Sequence, residues 1–206
     1  MSTSFKALNM AEHQIADLDE QLLRRKLRTT ESPCDIKARV GERELKAFCS
    51  NDYLGLANHP TLITALADGA KLYGVGSGAS HLISGHHAIH DELEAKLALT
   101  QAGAIPHARA LFFSTGYLAN ISAITALSLI GEKTSIYSAA LNHASLIDGI
   151  RLASKQNQAT IKIYPHQDIG ILRKMLAEDL NPFKLIVTDA VFSMDGDIAH
   201  VDQLLD

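Results

Sequence analysis

The segment 114–117 (Ser-Thr-Gly-Tyr) combines small hydroxyl residues with a glycine just before a helical pattern. Backbone amides at the start of a helix form an anion site that favours phosphate, and nearby hydroxyl groups can assist them. The apolar run 110–113 precedes the segment and predicts a short buried strand. A plain strand-to-helix turn capped by Ser114 or Thr115 would give the same pattern, so the spacing alone leaves both interpretations open.

A second candidate is His143, which lies among small residues in the segment 141–145 (Leu-Asn-His-Ala-Ser). An imidazole in such a position can lie flat over an aromatic ligand or donate a hydrogen bond to it. The alternative is a buried histidine that hydrogen-bonds only to backbone. The segment follows another strand-like run, so we expect His143 at the same sheet edge as residues 114–117, which favours the ligand interpretation.

The third candidate is the segment 188–197 (Thr-Asp-Ala-Val-Phe-Ser-Met-Asp-Gly-Asp), which follows the apolar run 185–187. Ligands of open α/β sheets bind at the carboxyl ends of parallel strands, where this loop is predicted to lie. Asp189 could be the nucleophile of a phosphohydrolase, but that chemistry needs a second carboxylate two residues later, and Val191 occupies the position. Residues 195–197 do not begin a calcium-binding loop, because their glycine falls at the wrong position and the later ligands are missing.

Two further patterns do not support a binding site. The glycine-rich segment 74–80 follows a helical pattern, whereas a dinucleotide fingerprint requires a strand before it and a helix directly after. No Walker A pattern is present. His86 and His90 could share a helix face and bind zinc, but no third ligand has suitable spacing, so we predict no metal site.

The elements that must position these residues alternate along the chain, which predicts an α/β fold with a mainly parallel sheet between helices. An amphipathic helix is expected over residues 4–27, and a hairpin over 40–49 turns at Gly41. The further strands are predicted at 110–113, 134–137, 160–164 and 185–187. The further helices are predicted after Pro60, around 89–97, at 118–130, at 146–152, after an Asp168 cap, and from Val201.

Bulk composition excludes several classes of protein. The chain of 206 residues is 47% hydrophobic and 20% charged, with a formal net charge of −4, so it offers no basic field for nucleic acid or membrane surfaces. No signal peptide or membrane-spanning run is evident. The two cysteines, Cys34 and Cys49, are too few for a disulfide framework, which predicts a reducing, cytoplasmic location.

Five segments occur in an order that resembles the α-oxoamine synthases, which are pyridoxal 5′-phosphate (PLP)-dependent enzymes of the aspartate aminotransferase-like fold. The segments are 48–56 (Phe-Cys-Ser-Asn-Asp-Tyr-Leu-Gly-Leu), 74–85, 114–117, 141–145 and 192–197. The resemblance covers the first half of such an enzyme. It implies an N-terminal helical arm and the start of a small domain in residues 1–44. Residues 45–206 would be the first, incomplete part of the large PLP-binding domain.

The resemblance also implies roles for individual residues. Gly116 and Tyr117 would bind the PLP phosphate through their backbone amides. His143 would stack on the pyridine ring and act in catalysis, and it would also touch the substrate. Ser193 would donate a hydrogen bond near the phenolic oxygen of the cofactor, and Asn51 would lie close to the substrate.

On the substrate side, the resemblance implies that Arg28, or as the weaker alternative Arg25, contacts a carboxylate of the acyl substrate. The implied reaction joins an acyl thioester to an amino acid with loss of carbon dioxide. Residues 76–80 favour pimeloyl-CoA or pimeloyl-carrier protein with L-alanine, as in biotin biosynthesis, over acetyl-CoA with glycine. The family also implies a homodimer, in which the loop 74–85 would face the partner.

The sequence departs from the family pattern in three respects. Ala139 stands where an acidic residue is usual, which is expected to loosen the loop carrying His143 unless Ser138 compensates. Ala190 replaces a common glycine. The Schiff-base lysine and the acid that pairs with the pyridinium nitrogen would both lie beyond the matched region. We therefore expect a truncated chain, and the alternative to an enzyme is a non-catalytic fragment that lacks the lysine.

Overall fold

The structure is a computed structural model that describes residues 3–205, with side chains from residue 5 onward. Residues up to Gly85 form one compact unit and residues from His86 form a second. The predicted domain boundary at residues 44–45 falls within the first unit and stays a prediction. The α-helices are α1 (Thr3–Glu20), α2 (Pro60–Tyr73), α3 (Ala88–Gln101), α4 (Gly116–Leu127), α5 (Ala144–Asn157), α6 (Ile169–Ala177) and α7 (Val201–Leu205), and one turn of π-helix covers His81–Gly85. The strands are β1 (Lys37–Val40), β2 (Arg43–Lys46), β3 (Thr134–Ala139), β4 (Thr160–Tyr164) and β5 (Phe183–Val187).

In the first unit the predicted hairpin is present, but its strands lie earlier than expected. β1 and β2 pair antiparallel, with Val40 opposite Arg43, and Gly41 takes the turn with a φ of 59°. A left-handed φ favours glycine at this position because glycine has no Cβ. The strands span residues 37–46, whereas the sequence pattern predicted 40–49.

The first helix ends earlier than the sequence pattern predicted. α1 stops at Glu20, although an apolar stripe continues to Leu22 and Leu23. Leu22 adopts a left-handed φ of 56°, and the backbone amides of Leu23 and Arg24 both donate to the carbonyl oxygen of Leu18. These bonds satisfy a carbonyl of the last turn and redirect the chain, so the predicted extent to residue 27 is wrong.

In the second unit, β3 is the central strand of a three-stranded parallel sheet, with β4 on one side and β5 on the other. All six residues of β3 are buried, as expected for a strand covered on both faces. Ile136 packs in one cluster with residues of α4 and α5, whereas Tyr137 packs in a second cluster with Leu172 of α6. The predicted parallel sheet between two layers of helices is therefore confirmed.

One predicted strand does not form. Residues 110–113 form no strand, and Leu111 is 76% exposed. The backbone amide of Phe112 donates instead to Glu94 Oε1 at 2.9 Å. An apolar run becomes a strand only if a neighbour supplies the other half of a backbone ladder, and no described strand lies beside this one.

The remaining predicted elements are present, although α4 ends at Leu127 and not at residue 130. α3 covers the predicted stripe around residues 89–97, and Asp168 caps α6 by accepting from the amide of Ile171 at 2.8 Å. α7 begins at Val201 as expected. Among residues 3–205, no helix is both long enough and apolar enough to cross a membrane.

The helix pair on one face of the sheet packs closely at Gly149. A Cβ atom at this position would lie 3.2 Å from the Cα atom of Ile121 and 3.1 Å from Ile124 Cδ1. The glycine therefore allows α4 and α5 to approach each other, which matters for the site because both helices begin at the same sheet edge.

A buried carboxylate stabilises the opposite part of the second unit. The Tyr137 hydroxyl group donates to Asp179 Oδ2 at 2.5 Å, and Lys162 Nζ lies 2.9 Å from the same oxygen. Burial alone would raise the pKa of Asp179, but hydrogen bonds from Ser135, Tyr137 and the backbone of Asn181 outweigh it and lower this pKa. The carboxylate is therefore held in its charged form.

Candidate cofactor site

The amino end of α4 presents two backbone amides that have no hydrogen-bond partner within residues 3–205. Thr115 is the N-cap, and its side chain accepts from the amide of Leu118 at 3.1 Å. The amide of Ala119 donates to the carbonyl of Thr115, which leaves the amides of Gly116 and Tyr117 available. A Cβ at Gly116 would meet nothing within 4 Å. The turn therefore has the open space and the donors that a phosphate group needs.

Two side-chain hydrogen bonds join the first turns of α4 and α5. The Tyr117 hydroxyl group donates to Asp148 Oδ2 at 2.7 Å, and Asn120 Nδ2 donates to Ser145 Oγ at 2.9 Å. The hydrogen bond with Asp148 raises the pKa of the Tyr117 hydroxyl group, so this group stays protonated and continues to donate. The amino ends of both helices consequently lie side by side.

His143 is exposed and serves as the N-cap of α5. Its Nδ1 atom accepts from the backbone amide of Ser145 at 3.2 Å and lies 2.7 Å from Ser145 Oγ. An Nδ1 atom that accepts an amide proton leaves Nε2 as the ring atom that carries the outward N–H donor. The interpretation of His143 as a buried core histidine is therefore wrong.

A buried asparagine, Asn142, fixes the loop that carries His143. Asn142 Nδ2 donates to the carbonyl of Val187 at 2.8 Å and to Ser138 Oγ at 3.1 Å. Asn142 Oδ1 accepts from the backbone amide of Asp189 at 3.1 Å. The Asp189 carboxylate in turn accepts from the backbone amide of His143 at 2.6 Å. The ends of β3 and β5 are thus joined by side chains from both loops.

This arrangement bears on the departure at Ala139. The sequence predicted that an alanine there would loosen the loop unless Ser138 compensated. Ser138 does accept from Asn142, and the carboxylate of Asp189, in the loop after β5, accepts from the backbone amide of His143. The loop is therefore held without an acid at position 139.

Ser193 lies in a closed turn after β5. The amide of Phe192 donates to the carbonyl of Asp197 at 2.9 Å, and the amide of Gly196 donates back to the carbonyl of Phe192 at 2.7 Å. Val191 and Ile198 form an antiparallel bridge at the base of this turn. Ser193 is exposed at its edge. The structure thus brings Ser193 to the carboxyl end of β5, as the sequence predicted.

Arg28 and Asn51 belong to the first unit, and both are exposed. The neighbour Asp52 accepts from the amides of Leu56 and Ala57 at 2.8 and 3.1 Å, which fixes the turn that follows Asn51. A cavity of about 530 Å³ is lined by residues on both sides of Asn51, including Ser50 and Asp52. The substrate-binding roles of Arg28 and Asn51, and the alternative Arg25, stay predictions.

The histidine-rich segment has carboxylates nearby that the sequence search for a third ligand did not find. Ligand atoms of His86, Asp91 and Glu94 all lie within 4.8 Å of one another. His86 Nε2 already lies 2.9 Å from Asp91 Oδ1, and Glu94 accepts from Phe112. Protein hydrogen bonds therefore account for this grouping, and the expectation of no metal stays a prediction.

A comparison with protein families shows which family the residues of this site belong to. Residues 44–206 match the family described as Aminotransferase class I and II. The chain belongs to that family. The match begins in β2 and includes every residue that lies at the carboxyl edge of the sheet.

Individual members of the family define the resemblance more closely. The chain is 56% identical over 194 residues to the 8-amino-7-oxononanoate synthase of Janthinobacterium sp. (strain Marseille), a match that covers 94% of this chain and 48% of that protein. The chain therefore spans about half the length of the curated relative it matches. This similarity confirms the predicted resemblance to the first half of an α-oxoamine synthase.

Solved structures of the family share the fold. A serine palmitoyltransferase from S. paucimobilis with bound PLP and myriocin has a TM-score of 0.77 at 24% identity, and the match covers 97% of this chain and 48% of that one. A Sphingomonas wittichii serine palmitoyltransferase has a TM-score of 0.77 at 27% identity, covering 98% and 48%. Both likenesses confirm the predicted aspartate aminotransferase-like fold.

Within this family fold, sequence reasoning missed the residues that support the site. Asn142, Asp148 and Ser145 contact the predicted site residues or their neighbours, but none of the three was predicted to do so, although Asn142 and Ser145 lie in the segment 141–145. The available sequence clue was position: each follows a strand or lies one helical turn inside a capped helix. Only the pairing of distant segments shows which of these side chains meet.

Proposed function

We propose that this chain forms the first half of a PLP-dependent enzyme that condenses pimeloyl-CoA or pimeloyl-carrier protein with L-alanine. The products would be 8-amino-7-oxononanoate, carbon dioxide and the free thiol, a step of biotin biosynthesis. The observation that carries the choice of reaction is the 56% identity to an 8-amino-7-oxononanoate synthase over nearly the whole chain. The site geometry supports the choice of cofactor.

The residues at the sheet edge fit the phosphate group of PLP. The free amides of Gly116 and Tyr117 point from the amino end of α4, where the helix dipole also favours an anion. No side chain of residues 5–205 occupies the space above Gly116, since a Cβ there would have no neighbour among them within 4 Å. When bound, PLP supplies an electron-withdrawing ring that stabilises negative charge on the α-carbon of the amino acid.

His143 and Ser193 would act on the rest of the cofactor. The His143 ring is oriented by two contacts with Ser145, so its flat face and its Nε2–H are presented in a fixed direction. Such a ring is suited to lie against the cofactor ring and to orient the acyl carbonyl group. Ser193, on its closed turn, would donate a hydrogen bond to the phenolic oxygen.

Arg28 and Asn51 would bind the substrates. A guanidinium group binds a carboxylate through two parallel hydrogen bonds, which suits the free carboxylate of a pimeloyl chain. Arg25 is the alternative to Arg28. Asn51 would lie close to the amino acid substrate.

This chain would be inactive by itself, because none of its lysines occupies the position that the family resemblance assigns to the Schiff base. Lys155, for example, lies in the last turn of α5 and Lys184 lies within β5, so neither lies at the carboxyl edge of the sheet. The apolar stripe of α3 is also uncovered, with Ile89 42% and Leu97 44% exposed. We propose that the part of the relatives' length not spanned here supplies the lysine and the pyridinium acid. We also propose that the full-length enzyme is a homodimer in the cytoplasm.

The reaction is tested with a full-length enzyme that carries this sequence as its first half. Turnover is measured with L-alanine plus pimeloyl-CoA, and with glycine plus acetyl-CoA as the matched comparison. We expect the first pair to be preferred by at least about tenfold in kcat/KM. Preference for the second pair would indicate a glycine C-acetyltransferase and would overturn the proposed substrates.

The inactivity of the 206-residue chain is tested separately. The chain is mixed with PLP, treated with borohydride and digested, and its peptides are analysed for a covalent pyridoxyl group. We expect no single lysine to be modified stoichiometrically. Selective labelling of one lysine would show that this chain holds the reactive amine and would contradict the proposal.

A further inference from the structure

A histidine and an aspartate outside the predicted site join two loops at the carboxyl edge of the sheet. His166 follows the end of β4, and Asp197 ends the turn that follows β5. His166 Nε2 donates to Asp197 Oδ2 at 2.7 Å, and Gln167 Nε2 donates to the same oxygen. The sequence predicted no role for His166 or Gln167, and it singled out Asp197 only as the last residue of the segment 188–197.

The turn fixed by this contact is the one that carries Ser193. Its backbone is closed by the reciprocal hydrogen bonds of residue 192 with residues 196 and 197, and Gly196 adopts a left-handed φ of 77°. Phe192 is only 3% exposed, and its ring lies perpendicular to the His166 ring with 4.4 Å between the centroids. His166 therefore contacts both ends of the turn.

Two features show that the contact is specific. Gln167 adopts a left-handed φ of 57°, a conformation that non-glycine residues seldom take, and in it the side chain reaches Asp197. The hydrogen bond from His166 is also the largest factor that lowers the pKa of Asp197. The carboxylate thus accepts its two hydrogen bonds in the charged form, which strengthens them.

We propose that His166 and Asp197 are a positioning pair that holds the 192–197 turn so that Ser193 faces the cofactor. This inference rests on the proposed function, because Ser193 matters only if a cofactor binds at this edge. Neither His166 nor Asp197 needs to touch the cofactor or the substrate. Their effect passes through the turn, so it should disappear when Ser193 has no hydroxyl group.

The test is a double-mutant cycle on PLP binding in a full-length enzyme that carries this sequence. The variants are Asp197→Asn, Ser193→Ala and the two together, and the readout is the Kd for PLP from a fluorescence titration. We expect each single substitution to raise the Kd for PLP about tenfold. The Kd of the double variant should not exceed the higher of the two single-variant values. Independent effects that multiply to about a hundredfold would overturn the positioning role, as would unchanged binding in Asp197→Asn.

Hydrogen exchange of the apoenzyme separates this inference from the proposed function. The amides of Phe192 and Gly196 should exchange at least about tenfold faster in Asp197→Asn than in the wild type, and at the wild-type rate in Ser193→Ala. A matched control is Asp195→Asn, which removes a charge from the same turn where no described partner is present. This control should change neither exchange nor Kd, and an equal effect of both substitutions would overturn the inference.

If the wild type binds no PLP, the proposed function fails, whereas the exchange data still report on the turn. His166→Gln provides a second variant with the same expected exchange pattern and a smaller change in local charge. Wild-type exchange rates in both Asp197→Asn and His166→Gln would show that the pair does not hold the turn. That result would overturn the inference even in an enzyme that binds PLP normally.

Discussion

The backbone amide of His143 donates to the Asp189 carboxylate at 2.6 Å, across 46 positions of sequence. This hydrogen bond connects the loop after β3 with the loop after β5. His143 also caps α5 through its own ring, so its backbone and its side chain are both fixed. The residue expected to lie against the cofactor is therefore positioned before any ligand binds, which lowers the cost of ordering the site.

Asp189→Ala should weaken PLP binding in a full-length enzyme that carries this sequence. The substitution removes a charge-assisted hydrogen bond to the amide of His143, and such bonds contribute about 1.5–3 kcal/mol, equivalent to roughly ten- to hundredfold in Kd. The measurement is a PLP titration. Asp189→Asn keeps an acceptor oxygen and should recover part of the loss. Equal binding by Asp189→Ala and the wild type would contradict the proposed positioning.

Gly116→Ala should separate folding from cofactor binding. A Cβ here has no neighbour within 4 Å, and alanine is a better helix former than glycine, so unfolding midpoints should be unchanged or slightly higher. The same Cβ would stand where the phosphate is expected, and we predict a loss of PLP affinity of at least about tenfold. The matched control is Gly170→Ala at the start of α6, a helix with no role in the proposed phosphate turn. Normal PLP affinity in Gly116→Ala would count against a phosphate at this turn.

Asn142→Ala should destabilise the enzyme. The side chain is 5% exposed and joins Val187, Ser138 and Asp189, so its removal leaves buried polar groups without partners. We expect the free energy of unfolding to fall by about 3 kcal/mol, measured by urea denaturation. Asn58→Ala, at an exposed asparagine, should change it by less than about 0.5 kcal/mol. A similar small change for Asn142→Ala would show that its hydrogen bonds contribute little.

Asp179 should make the enzyme sensitive to acid. Its pKa is lowered in the folded protein, so the charged carboxylate stabilises the fold above the unfolded value of about 3.9. This stabilisation is lost as the pH falls through that value towards the lower folded pKa. The unfolding free energy of Asp179→Asn should therefore fall less steeply between about pH 5 and pH 3 than that of the wild type.

The comparison for Asp179 is Glu178→Gln, because Glu178 is exposed and pairs only loosely with Lys174 at 4.0 Å. An exposed ion pair of this kind contributes little to stability. Glu178→Gln should keep the wild-type slope of unfolding free energy against pH. If Asp179→Asn also keeps that slope, Asp179 is not the group that links folding to acid.

Local sequence determined most of the elements in the second unit. The alternating segment that became β4, the apolar run that became β5 and the cap at Asp168 were predicted correctly, because hydrophobic periodicity and capping act over a few neighbouring residues. The element predictions failed where contacts with residues outside the segment, or a local change of backbone conformation, determine the structure. The run 110–113 had strand composition but no ladder neighbour, and α1 ended where Leu22 turned left-handed.

The features of the candidate site also fall into those that the sequence predicted and those that depend on tertiary contacts. The sequence by itself determined that Gly116, His143 and Ser193 each follow an apolar run at the start of a polar loop, and their order along the chain indicated the family. Only the tertiary structure determined that Asn142 and Asp189 hold His143, and that His166 holds the turn with Ser193. These contacts join residues about 30 to 50 positions apart, and their existence depends on the register of parallel strands, which no local pattern specifies.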